Sequence, residues 1–255
     1  MTKFVVQKVS SSSLLCYEGC PYEYKMLYVD HVEVTIKTNV SAAVGKAYHR
    51  VIEEWHSTSE DFSRPDLTLR WKDVFEDELS QKDVEQPDKS YRSLLFNKGY
   101  SVLTMYYNRQ KRDGLLVRPL GTEVEFKIPW NGIFITGKMD LIFPTVEIDD
   151  LKSGAMNLNQ KQVDEDAQLT FYSMGYRWLR RQYPTLYPDL EKKLVLHYLA
   201  KDVKLETTRC RRHYDGLLTR IGNMIQNVVE ENFVGCPSAE NCKWCLYTKL
   251  CPFFK

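Results

Sequence analysis

The chain has 255 residues, 43% of them hydrophobic and 27% charged, which is enough to bury a core unaided and ordinary for a soluble globular protein. No apolar run approaches membrane-spanning length, and the first thirteen residues lack the apolar stretch of a signal peptide. Seven cysteines, an odd number, argue against a disulfide framework and for ligation or free thiols in a reducing, cytoplasmic setting.

Net charge is +1, which alone weighs weakly against nucleic acid, but the charge is segregated. Residues 53–88 hold twelve acids against four Lys/Arg, and residues 177–212 hold ten Lys/Arg against four acids. The basic stretch reads either as a phosphate footprint or as the solvated face of long helices.

In chain order, Ser10 to Ser13 followed by Leu14 and Leu15 predicts an N-cap running into a helix that carries Cys16 and Cys20 before Pro21. Ala42 to His56 is a second helix, with Val44, Tyr48, Val51, Ile52 and Trp55 as its apolar stripe. The acidic stretch to Asp88 is expected to be helical with loops. Tyr91 to Arg112 reads as a long helix ending at Gly114. Gly121 to Ile128, Ile133 to Phe143 and Val146 to Lys152 are then predicted as successive antiparallel strands, separated by Trp130-Asn131-Gly132 and Phe143-Pro144-Thr145. A helix from about Asp164 to Tyr183, strands Leu194 to Leu199 and Val203 to Cys210, and a helix from His213 to Asn232 complete the body. No repeat, low-complexity tract or flexible linker interrupts it. Strands in the middle with helices on both sides predict a single α/β domain around a mixed sheet.

Read with period two, Val146 to Lys152 places Asp150 and Lys152 side by side at the end of an otherwise apolar face. The preceding strand brings Asp140 alongside. Two carboxylates and an ammonium are costly to hold together without a cation or an anionic substrate, and carboxylate oxygens select Mg²⁺ or Mn²⁺. A surface salt bridge between Asp150 and Lys152 is the plainer alternative. Against it stand three features. Ser153-Gly154 predicts a tight turn where backbone approaches a ligand. Gln168 and Tyr172 lie four apart on one helix face. His49, mid-helix, is available as a further ligand.

Near the end, Cys236, Cys242, Cys245 and Cys251 follow C-x5-C-x2-C-x5-C spacing, with Cys20 far upstream in a Cys-Pro pair. Such thiolates read as ligands of a soft metal or an iron–sulfur cluster; a zinc ribbon of the four late cysteines is the rival.

Gly137-Lys138-Met139-Asp140, Asp150-Leu151-Lys152-Ser153-Gly154 and Gln168-Leu169-Thr170-Phe171-Tyr172 together resemble the RecB-like branch of the PD-(D/E)xK nucleases. His49 and the Glu123/Glu125 pair fit that family's earlier motifs. Cys20-Pro21 with Cys242-Lys243-Trp244-Cys245 and Cys251 is similar to its iron–sulfur subgroup, which includes the AddB nuclease domain and the CRISPR-associated protein four exonucleases. The resemblance runs from Ser10 to Cys251. It implies a restriction-endonuclease-like α/β core, a central mixed sheet flanked by helices, with a cysteine tail packed on the N-terminal helix. It implies one nuclease domain over 1–255, in which residues 1–30 and 233–255 jointly form the iron–sulfur subregion.

By that resemblance His49, Asp140, Asp150 and the backbone carbonyl of Leu151 bind the catalytic Mg²⁺ or Mn²⁺. Asp140, Asp150 and Lys152 carry catalysis, with Lys152 on the attacking water and the phosphate. Gln168 and Tyr172 hold DNA, and Glu125 is the expected outer contact of the metal site. Cys20, Cys242, Cys245 and Cys251 hold a [4Fe–4S] cluster of structural role, Cys236 is a bystander, and Cys16 and Cys210 are small buried residues. The implied activity is metal-dependent cleavage of single-stranded DNA or DNA ends, as an exonuclease. No Gly-Lys-Ser/Thr phosphate loop occurs, so any unwinding comes from a helicase partner. The alternatives are a non-catalytic or partner-dependent DNA-binding subunit of a spacer-acquisition or recombination complex, alongside an integrase, and a zinc-stabilised interaction domain.

Overall fold

The computed structural model describes residues 6–34, 38–58, 63–111, 118–154 and 158–254. Its centre is a six-stranded mixed sheet made of β1 (Lys8–Val9), β2 (Gly121–Trp130), β3 (Ile133–Ile142), β4 (Glu147–Lys152), β5 (Lys193–Tyr198) and β6 (Val203–Thr207). The helices are α1 (Ser11–Gly19), α2 (Pro21–Tyr24, running into a π turn at Lys25–Val29), α3 (Val40–Ser57), α4 (Arg64–Ser80), α5 (Lys89–Gln110), α6 (Gln160–Asp164), α7 (Ala167–Gln182), α8 (Arg211–Val229) and α9 (Ala239–Trp244).

Strand β3 is the hub. β2 pairs antiparallel along it, β1 parallel at Phe134–Ile135, and β4 antiparallel at Leu141–Ile142. The β2–β3 hairpin closes through Asn131 and Gly132, both at positive φ, the two-residue turn whose twist matches paired strands. The predicted antiparallel run therefore holds through β4, after which β5 joins parallel to it and β6 antiparallel to β5. A parallel step needs a crossover, and α6 and α7 supply it.

Each face of the sheet is covered by its own helices. The stripe Val44, Tyr48, Val51, Ile52 and Trp55 of α3 packs with α4 and α5 over Leu141, Phe143 and Leu151. On the other face α1, α7 and α8 cover Ile135, Ile148, Leu194 and Leu196. Phe126 of β2 sits where a Cβ on Gly137 would meet its ring at 2.4 Å and one on Gly175 at 2.3 Å, so both glycines are needed for α7 to reach the sheet.

Boundaries depart from the sequence reading in a few places. The two-residue β1 was not anticipated, being too short for a period to show. α1 ends at Gly19, so Cys20 is its C-cap rather than a helical residue. The helix expected from about Asp164 starts at Ala167 as α7, because Asp166 caps it by accepting from Leu169 N–H at 2.8 Å, and the short α6 before it was not anticipated. The expected end of α5 at Arg112 and Gly114 lies outside the described residues. No helix among the described residues is long and apolar enough to cross a membrane.

Candidate metal and nuclease site

Asp140 near the end of β3 and Asp150 near the end of β4 are both buried, as their side-by-side strands dictate. The Asp140 carboxylate accepts from the Leu151 N–H at 2.7 Å. Asp150 is held on both oxygens: the Tyr172 hydroxyl donates to Oδ1 at 3.0 Å, and Lys152 Nζ lies 2.7 Å from Oδ2. Lys152 also donates to Gln168 Oε1 at 2.8 Å, and Gln168 Nε2 donates to the Tyr172 hydroxyl at 3.0 Å. The i, i+4 pair on α7 thus closes a ring of four side chains, Asp150, Lys152, Gln168 and Tyr172. The polar ends of Gln168 and Tyr172 point inward to that ring while both residues line the groove beside it.

His49 comes from the opposite helical layer. Its Nε2 donates to the Leu151 carbonyl at 3.0 Å. A carbonyl only accepts, so the proton sits on Nε2 and Nδ1 faces Glu123 Oε1 at 3.7 Å and Asp140 Oδ2 at 3.6 Å. α3 can come this close because Gly45 has no side chain: a Cβ there would meet Ser153 Oγ at 2.7 Å. At Gly154, where the sequence predicted the close approach, a Cβ would meet nothing within 4 Å.

Of the two upstream glutamates it is Glu123 that reaches this site. The β2–β3 register passes from Thr122↔Leu141 to Val124↔Met139, and the residues between, Glu123 and Asp140, form no paired step. Glu123 takes a left-handed conformation there, φ 50°, which interrupts the simple alternation that placed it on one face with Glu125. Its carboxylate pairs with Lys138 and lies by His49. Glu125, the residue favoured from sequence, is exposed and paired in register with Lys138. Among the described residues, His49, Glu123 and Asp140 bring three ligand atoms within 4.8 Å of one another.

The electrostatics are those of a site short of positive charge. Burial pushes the Asp140 carboxyl up to about 7, and the Asp150 charge adds to it. Asp150 is raised as well, by burial that Lys152 only partly offsets. Its Oδ2 is buried without a hydrogen-bond partner among the described residues, and the nearby Lys152 ammonium offsets its charge. Burial pulls His49 down, but Glu123, Asp140 and Asp150 outweigh it and hold the imidazole above its ordinary value. Burial likewise opposes the charge on Lys152, yet Asp150 keeps its ammonium raised.

Arg209 was missed in the sequence. It is buried, and it donates to Thr170 Oγ1 at 2.8 Å, the Asp166 carbonyl at 2.9 Å and the Val163 carbonyl at 3.1 Å. It therefore fixes the α6–α7 junction from which Gln168 and Tyr172 project. An arginine in a basic run carries no sequence mark of such burial. Of its neighbours in that run, Arg177, Lys193, Lys204, Arg211 and Arg212 pair with carboxylates. Those pairs neutralise part of the run.

Past the C-terminal end of α1, Cys20, Cys236, Cys242, Cys245 and Cys251 line one cavity. The Cys236 N–H points at Cys20 Sγ at 3.4 Å, Asn241 Nδ2 donates to the Gly19 carbonyl at 2.9 Å, and Tyr22 meets Phe253 edge to face. The tail thus packs on the first helices as expected. Cys16 is partly buried, its thiol pushed up to about 12 chiefly by burial. Cys210 is exposed at the N-cap of α8, where the sequence expected burial; the helix start puts it outside the core.

The family model of the PD-(D/E)XK nuclease superfamily matches residues 8–252. A crystal structure of a protein described as a candidate exonuclease from Eubacterium rectale is similar with a TM-score of 0.52 at 15% identity, covering 94% of this chain and 87% of its own. A crystal structure of SSO0001, 14% identical, covers 96% of both chains at a TM-score of 0.37. No curated protein matches the sequence.

Proposed function

Because the chain belongs to the PD-(D/E)XK nuclease superfamily, we propose that it is a metal-dependent DNA nuclease acting on single strands or ends, an exonuclease that hydrolyses phosphodiester bonds. The observation that carries this reading is the burial of Asp140 and Asp150 together beside Lys152. Retaining two carboxylates that burial penalises makes physical sense where a cation is to be held. The likeness of the fold to a protein described as a candidate exonuclease supports the exonucleolytic mode.

Asp140, Asp150, His49 and the Leu151 carbonyl are the proposed metal ligands, with Glu123 at their side. The donor set fits Mg²⁺ or Mn²⁺: carboxylate and carbonyl oxygens with one imidazole, and an Asp140 carboxyl that burial pushes up to about 7 until positive charge arrives. A bound divalent ion would lower the pKa of its water and offset charge on the reacting phosphate. His49 turns Nδ1 toward Glu123 and Asp140 while Nε2 donates to the Leu151 carbonyl, a hydrogen bond that must open before the imidazole and that carbonyl can share one ion. Lys152, kept protonated by Asp150, serves as a cationic donor to the phosphate and a fixed partner for the water, not as a base. Gln168 and Tyr172 line the DNA groove and set the orientation of the Lys152 ammonium and the Asp150 carboxylate.

The cysteine cavity is proposed to hold a [4Fe–4S] cluster through Cys20, Cys242, Cys245 and Cys251, closing one nuclease domain over residues 1–255 with 1–30 and 233–255 as its clasp. One cavity brings Cys20 to Cys242, Cys245 and Cys251, which supports a site shared between the N-terminal cysteine and the late three. Free thiols suit the cytoplasm, and helicase or integrase proteins are the proposed partners.

The test is digestion of end-labelled single- and double-stranded DNA with Mn²⁺, Mg²⁺ or EDTA. Metal-dependent shortening from one end of single strands is expected. DNA binding without any cleavage under each metal would overturn the catalytic reading.

A further inference from the structure

Alternate residues of β3 face outward: Phe134 is 38% exposed, Lys138 is exposed and Thr136 half-buried, whereas Ile133, Ile135 and Met139 between them are buried. This row ends beside Asp140, and all four residues line one groove. At about 3.3 Å per residue, Phe134 stands roughly 20 Å along the strand from Asp140. Lys8 pairs in register with Phe134 from β1, and Lys127 on β2 sets its Nζ 3.9 Å from the Phe134 ring centroid. Ser11 and Ser12, in the first turn of α1, form part of the opposite wall. Glu125, in register with Lys138, is the carboxylate that lines this outer part.

Nothing in the metal site explains a large aromatic ring left in solvent with an ammonium against its face. A phenyl ring is sequence-blind to a nucleobase, because every base has a π-face, and it reaches that face only where bases are unpaired. Lysines alongside supply phosphate contacts. We infer that the outer row of β3 is a single-strand track: Phe134 stacks on a base, and Lys127 and Lys8 hold the flanking phosphates, roughly 20 Å from the scissile bond. This rests on the nuclease reading and adds to it the reason for preferring single strands. Duplex DNA buries its base faces and gains nothing from Phe134.

The test is fluorescence anisotropy of labelled dT12 and of a labelled 12-base-pair duplex in EDTA, where binding is read without cleavage, using wild type, Phe134→Ala, Phe134→Trp and Lys127→Gln. Phe134→Ala should weaken dT12 binding about 10-fold, Phe134→Trp should keep it, and duplex binding should not move. Lys127→Gln should flatten the salt dependence by about 0.7 in log–log slope. With Mn²⁺, wild type should cleave the dT12 that it binds. Unchanged dT12 affinity in Phe134→Ala, or an equal loss on the duplex, would overturn the track. A wild type that binds dT12 but never cleaves it would sink the nuclease reading and leave the track standing.

Discussion

The Tyr172 hydroxyl donates to Oδ1 of Asp150 at 3.0 Å, turning the other oxygen of that carboxylate toward Lys152. A buried carboxylate that would otherwise rotate is thereby fixed by a residue 22 positions away on another element. Lys152→Ala should reduce Mn²⁺-dependent cleavage of single-stranded DNA by about 10³-fold, since it removes the fixed cation facing the phosphate. Tyr172→Phe should cost roughly 10-fold, because it loosens Asp150 without removing it. Single-turnover rates, with near-ultraviolet circular dichroism to confirm the fold, measure both. Full activity in Lys152→Ala would remove it from the mechanism.

Glu123 and Glu125 both neighbour Lys138, but only Glu123 also lies by His49. Glu123→Gln should weaken Mn²⁺ binding by about 10-fold, as for other groups that support a metal ligand, while Glu125→Gln should leave it unchanged. Calorimetric titration of Mn²⁺ into each variant reads this directly. The opposite ranking would show that the left-handed turn at Glu123 has no bearing on the metal.

The metal-free protein should carry a signature of Asp140 in its stability. The carboxyl is raised to about 7 from an ordinary 3.8, so at pH 8 it is ionised in both states and its burial penalises the fold. Below pH 7 the folded state takes up the proton first, and stability is gained as pH falls toward 4. His56 works the other way. Burial lowers it to about 4, so the unfolded chain protonates first and stability is lost between about 6.5 and 4. Asp140→Asn should therefore raise stability at pH 8 by about 2 kcal/mol. It should also add a loss of up to about 1.4 kcal/mol per pH unit on the acid side. Urea unfolding in EDTA at pH 8, 6 and 4.5 gives both numbers; parallel profiles for variant and wild type would contradict the burial penalty.

Anaerobically purified protein should be brown, with about four irons per chain. Cys20→Ser should lose the visible absorbance and unfold more readily, and Cys236→Ser should keep its colour. A colourless wild type holding one zinc per chain would show that the cavity serves a different metal.

Much of this site could be read along the chain because it is written locally. Asp150 and Lys152 are two apart on a strand, Gln168 and Tyr172 four apart on a helix, and the turns around Asn131 and Pro144 put Asp140 next to them. What escaped the reading depended on backbone irregularity or on distant partners. Glu123 reaches His49 through a positive φ that alternation does not foresee. Arg209 gains its role from carbonyls more than forty residues away. The parallel joining of β5 to β4 is set by a crossover, whose outcome no periodicity in either strand records.

The thiol of Cys20 and the N–H of Cys236 meet across 216 residues of chain. At about 5–20 residues per second, roughly 10–40 s of synthesis separate the two halves of this contact. Through that interval Cys20 emerges from the ribosome without its partners. The clasp is thus completed only after the sheet and the metal site have been made, and a nascent chain that stalls or is oxidised before Cys242, Cys245 and Cys251 arrive has both but no closed clasp.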